Sequence, residues 1–142
     1  MKIRVFTISL LLCILCSCEK DNSSIGFEPG PPGSFSYLSY DSLGTPVVTG
    51  WLTFEISDSL TIEGSWLLKK LINRDDLGPQ FGEGELIGRI EDSSIWMELN
   101  PQFRDHNLGL IGTISDTRID GKWYWVSFPG LTNWGTFKAL KN

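Results

Sequence analysis

Three cysteines, Cys13, Cys16 and Cys18, fall within six positions near the start of the chain. That density could mean a thiolate metal site, a disulfide knot or neither. Elsewhere the side chains able to do chemistry are sparse. His106 is the only histidine. It can supply one member at most to a His-based metal site or a His-centred triad. Asp105 next to it could orient it, but no Ser or Cys nucleophile motif accompanies the pair. Asp75, Asp76, Glu83 and Glu85 offer carboxylates at a spacing that matches no oxygen-ligand loop, so they read as a solvated acidic loop. Gly78, Gly82 and Gly84 lack the strand–GxGxxG–helix setting of a phosphate cradle. The sequence therefore assigns no catalytic residue, no metal site and no cofactor.

The flanks of the cysteines decide their chemistry. The chain opens MKIRVFTISLLLCILCSC. Two basic residues precede an apolar run from Val5 to about Leu15, too short to span a bilayer and matched to a secretory signal segment. Leu15-Cys16-Ser17-Cys18 resembles the bacterial lipobox: an apolar residue, two small ones, then cysteine. The resemblance implies cleavage before Cys18, a diacylglycerol on its sulfur and an acylated amine. Residues 1–17 are then the signal peptide. Cys13 and Cys16 leave with it, and the one remaining thiol is alkylated. Glu19-Lys20-Asp21-Asn22 is similar to short surface-export signals of some Gram-negative lipoproteins and reads equally as the start of a solvated linker. The expected place is the bacterial cell envelope, lipid-anchored to the outer membrane, on its periplasmic or its surface face.

Charge excludes one class of partner. The full chain carries a net charge of −5, and every acidic residue lies at or beyond Glu19. Removing Lys2 and Arg4 with residues 1–17 leaves 10 basic against 17 acidic residues, a net of −7. Such a surface repels phosphate backbones, so nucleic acid is not an expected partner.

Residues 18–33 read as the lipidated cysteine and a flexible linker, with five Pro or Gly at 29–33. From Ser34 the pattern changes to short β-branched and aromatic runs between turn residues. It predicts strands at 34–40, 47–56, 60–71, 84–91, 94–99, 108–114, 119–127 and 134–141. "WLLKKLI" at 66–72 continues an alternating run and is assigned to a strand rather than a helix. Alternation turns one set inward: Leu52, Phe54, Ile56; Leu60, Ile62, Gly64, Trp66; Leu86, Gly88, Ile90; Leu110, Gly112, Ile114; Ile119, Gly121, Trp123, Trp125; Phe137, Ala139. "ISDSLTIEGSW" (56–66) and "ISDTRIDGKW" (114–123) are copies of one hairpin, and "IEDSSIWME" (90–98) is a degenerate third. The Gly two residues before each Trp lets its strand bend and gives the indole room. Eight antiparallel strands in residues 34–142 predict an all-β domain. A single up-and-down barrel removes the edges that an open sheet would expose.

In such a meander, connections 57–59, 92–93 and 115–118 share one end. The longer ones at 41–46, 72–83, 100–107 and 128–133 share the other. The first strand starts at the short-turn end, so the tether is expected to enter there, with the long loops pointing away from the membrane. Gly-x-Trp hairpins and strand count over 34–141 resemble the calycin-like small barrels, which include lipocalins and avidin-like proteins. The lipocalin's opening motif and C-terminal helix are missing.

Trp66, Trp123 and Trp125 face inward, lining an apolar cavity or filling the barrel. Phe81, Phe103, Phe128 and Trp134 sit in or beside the long loops, displayed for recognition or folded as a plug over the barrel end. "PQF" occurs twice, at 79–81 and 101–103. These features point to a membrane-tethered, non-catalytic binding module. Its expected partner is a protein, a glycan or a small apolar ligand. The alternatives are an envelope hydrolase built from scattered carboxylates such as Glu63 and Asp120, or a purely structural lipoprotein.

Overall fold

The computed structural model describes residues 26–103, 106–128 and 130–142. The signal segment, the lipobox with Cys18, and Asp105 lie outside the described residues. Eight strands follow in order: β1 (Phe35–Asp41), β2 (Pro46–Ile56), β3 (Thr61–Lys70), β4 (Gly82–Glu91), β5 (Ser94–Glu98), β6 (His106–Ile114), β7 (Arg118–Ser127) and β8 (Gly130–Lys141). Each pairs antiparallel with the next, and β8 closes on β1. The result is the up-and-down barrel that the alternating pattern predicts. Trp66 through Lys70 lies in β3, so the 66–72 run is extended for most of its length.

The period-2 pattern explains which face is inside. Leu52, Ile62, Leu68, Leu86, Ile95, Leu110, Ile119, Phe137 and Ala139 all turn inward and are buried. An eight-stranded barrel is just wide enough for side chains to fill, and here they do. Tyr37 and Phe137 stack in the middle with ring centroids 5.5 Å apart.

Two members of the inward set depart from it. Leu60 sits in the β2–β3 turn with φ of 61°, a left-handed position that takes it out of the pleat and leaves it half exposed. Ile56 ends β2 beyond the rim and is equally exposed. One loop also departs. Strand β8 begins at Gly130 rather than near 134, because Ser127 pairs with Gly130 and Val126 with Leu131. The β7–β8 connection is therefore a tight hairpin, not a long loop. Gly130 has φ of 110°, which only glycine adopts without strain.

Residues 26–33 do not trail from the short-turn end. They run back along the outer wall of β2 and β3. Gly30 packs against the Trp51 side chain, Glu28 pairs with Lys69 at 2.6 Å, and the Gly26 carbonyl accepts from Thr49 Oγ1 at 3.3 Å. Thr49 lies nearer than Trp51 to the start of β2, so Gly26 is the end of this segment closest to the long-loop side. The first strand does start at the short-turn end as expected, but residues 26–33 fold back along the wall instead of trailing free from it. Local composition predicts a solvated segment; the groove over Trp51 and Thr49 that receives it exists only once β1, β2 and β3 are paired.

Candidate functional site

Among the described residues, Trp66 and Trp123 are packed into the barrel interior. Trp123 is fully buried, and its Nε1 donates to the Tyr40 carbonyl at 2.8 Å. Trp66 is buried, and its Nε1 donates to the carbonyls of Glu85 and Leu99. Trp125 is half buried and packs against Gly78. The plug over the long-loop end is made by other residues than the aromatics. Leu77 and Gln80, from the 71–81 connection, are both wholly buried. Ser39 Oγ donates to Gln80 Oε1 at 3.0 Å, and Gln80 Nε2 donates to the Leu77 carbonyl at 3.0 Å. Beneath the plug the Tyr37 hydroxyl is buried without a hydrogen-bond partner among the described residues, and burial pushes it above the ordinary phenol range.

The plug is fixed from outside by an ion cluster. Arg74 Nη1 donates to Asp41 at 2.7 Å, and Arg74 also pairs with Asp76. Burial works to raise the Asp41 carboxyl. The Thr45 amide, Arg74 and the Leu43 amide together outweigh it and hold the group below the usual carboxylate range. Asp76 is held low chiefly by its hydrogen bond from Arg74. These carboxylates serve structure. Among the described residues, no group of three or more His, Cys, Asp or Glu is placed to hold a metal ion. His106 is exposed at the start of β6, edge-on to Trp125 with ring centroids 6.1 Å apart. Glu63 and Asp120 do not meet: they stand on β3 and β7, four strands apart, and Asp120 pairs with Arg118.

At the short-turn end the barrel opens into a bowl of about 410 Å³, lined by Phe35, Phe54, Ile56, Ile90 and Ile114 with Asp92, Asp116 and Lys141 among its walls. Phe35 and Phe54 stack 5.1 Å apart in it.

A largely apolar surface lies on the outer wall, with Lys122 beside it. Trp96 on β5 pairs with Ile111 on β6, Tyr124 on β7 with Trp134 on β8, and Val126 with Leu131. Ile111, Tyr124, Val126, Leu131 and Trp134 line a groove of about 510 Å³. Gly109 lets the Tyr124 ring lie flat across β6, where any Cβ would meet it. Trp96 Nε1 then donates to the Tyr124 hydroxyl at 3.2 Å. Both rings are thus held in place by contacts within the barrel itself.

The four loop aromatics do not form one patch. Trp134 belongs to this wall. Phe128 caps the β7–β8 hairpin where the wall meets the long-loop end. Phe81 lies on the far side of the barrel, with Lys70 Nζ 4.2 Å from its ring centroid. Phe103 projects from the β5–β6 connection. Sequence reasoning missed Ile111, Tyr124 and Leu131. Their signal was present as apolar residues at outward positions of three successive strands, and it is legible only with the strand register in hand.

No protein-family model matches the chain, and no curated protein matches it. Among solved structures, the chain is similar to rhizavidin in its crystal structure with biotin, at 14% identity and a TM-score of 0.47. The likeness covers 75% of this chain and 97% of that one.

Proposed function

We propose that the protein is a non-catalytic binding module, lipid-anchored through Cys18 in the bacterial envelope, and that it grips a protein partner on the outer wall of β5–β8. The observation that supports this is the preordered groove of Ile111, Tyr124, Val126, Leu131 and Trp134. A soluble barrel gains nothing from turning these side chains to water, and contiguous apolar patches on a surface mark interaction sites. The aromatic anchors are those that dominate protein interfaces. A barrel has no free strand edge, so recognition here is by side chains rather than by strand addition. The lining is almost wholly carbon, which suits an apolar protein segment better than the hydroxyls of a glycan.

A photo-crosslinking residue in place of Ile111, in cells, tests the wall. The expected product is one adduct of discrete mass, lost when Leu131→Asp is added. That exposed substitution should change stability by no more than about 0.5 kcal/mol. An adduct that survives Leu131→Asp, an adduct of twice the chain mass, or no adduct at all removes the wall as a partner site.

The anchor is tested separately. Cys18→Ser is expected to abolish incorporation of labelled fatty acid and to release the protein from the membrane fraction. A variant that still sediments with membranes and takes up label as wild type does would overturn the anchor.

A further inference from the structure

The two ends of the barrel differ in what their turns display. At the long-loop end each of the four connections carries an exposed apolar residue: Leu43 at 90%, Phe81 at 47%, Phe103 at 60% and Phe128 at 91% exposure. None of the four is needed to close the barrel, because Leu77 and Gln80 already do so. The opposite turn tips are Ser57-Asp58-Ser59, Asp92-Ser93 and Ser115-Asp116-Thr117; the exposed apolar side chains at that end are Leu60 and Ile56, and Phe35, Phe54, Ile90 and Ile114 are recessed in the bowl behind the polar tips. Water is a poor surrounding for the first set and a good one for the second.

The path of the chain points the same way. From Ser34 backwards, Gly30 lies on Trp51, Glu28 on Lys69 and Gly26 on Thr49. Of the described part of this segment, Gly26 is thus the residue nearest the long-loop end. Seven residues, eight Cα–Cα steps, separate Gly26 from Cys18. An extended chain of that length reaches at most about 28 Å. A barrel anchored at Cys18 is thus held with its long-loop end nearest the lipid.

Resting on the lipid-anchor reading above, we propose that the long-loop end is a membrane-contact face. Leu43, Phe81, Phe103 and Phe128 sit at the headgroup–acyl boundary. Lys70, whose ammonium sits over the Phe81 ring, sets a cation at the headgroup layer beside it. Asp75 and Glu83 lie at the same end, so attraction to anionic headgroups is not the driving force. Apolar insertion into zwitterionic lipid is. The outer wall of β5–β8 then stands upright beside the membrane, open sideways to a partner, and the short turns point away from it.

The test uses the lipidated protein in vesicles of phosphatidylethanolamine and phosphatidylcholine. Leu43→Cys, Phe128→Cys and Ser59→Cys each give one labelling site for an environment-sensitive fluorophore, since the Cys18 sulfur is alkylated. A lipid bearing a shallow nitroxide serves as quencher. The expected result is at least twofold quenching at 43 and 128 and none at 59. Protein that floats with the vesicles but shows unquenched labels at 43 and 128 overturns the contact face while leaving the anchor intact. Quenching at 59 alone reverses the orientation and also overturns it. Labels that are water-exposed in vesicles but protected in native membranes assign this end to a protein partner instead. Failure to float removes the anchor, and this proposal with it.

Discussion

Trp123→Ala is expected to lower the unfolding free energy by about 3–5 kcal/mol, the range for deleting a buried aromatic side chain. Trp123 is wholly buried. It lies opposite Gly135, where a Cβ would stand 2.6 Å from the indole Nε1, so it occupies the room that this glycine leaves. Its truncation also strips the Tyr40 carbonyl of its donor. The loss of this partly buried hydrogen bond adds to the cost of the cavity. Domains have only about 5–15 kcal/mol in total, so the variant should melt far below wild type or fail to fold. Trp123→Phe removes the donor with a much smaller cavity than the alanine variant, so the difference between the two variants reports the cavity. Denaturant titration of both, followed by circular dichroism, is the measurement. A loss well under 1 kcal/mol for the alanine variant would mean that the interior is not held together by this side chain.

Gly121→Ala should be costly for the opposite reason, an added atom rather than missing ones. Gly121 pairs directly with Gly112 across β6 and β7. A Cβ on Gly121 would press on the Ile111 carbonyl oxygen and stand 2.8 Å both from the Gly112 Cα and from the Phe137 ring. Two of the three obstacles are backbone and cannot turn aside. Overpacking of this kind typically costs about 1–3 kcal/mol, and the rigidity of the obstacles places Gly121→Ala at the upper end or above. Gly64, its counterpart in the first copy of the hairpin repeat, has the same relation to the Thr53 carbonyl oxygen and the Phe54 Cα. The glycine before each repeated tryptophan therefore permits the close strand approach at which the barrel wall curves. A Gly121→Ala variant that unfolds at the wild-type denaturant midpoint would show that the wall curves without it.

The strands were legible in the sequence because alternation is local. A residue and its second neighbour share a face whatever the rest of the chain does. Leu52, Ile62, Leu86, Leu110 and Ile119 could therefore be placed inside from spacing alone, and the surplus of short strands without protected edges implied closure. What spacing could not decide was anything that needs two strands at once. Leu60 continues the alternation on paper, but the turn that joins β2 to β3 claims it for a left-handed position. Strand β8 starts at Gly130 because β7 supplies pairing partners for 130 and 131, and 128–133 looked like a loop without them. Gln80 reads as a polar loop residue. It is wholly buried because Ser39, on β1 and 41 positions away, gives it a hydrogen bond inside the barrel end. The outer wall joins Trp96, Ile111, Tyr124 and Trp134 from four strands, each outward and unremarkable in its own segment. Register across β5 to β8 makes them one surface. Residues 26–33 look like a free linker in composition. Only the finished wall, with Trp51 and Thr49 side by side and Lys69 on the next strand, offers them somewhere to lie.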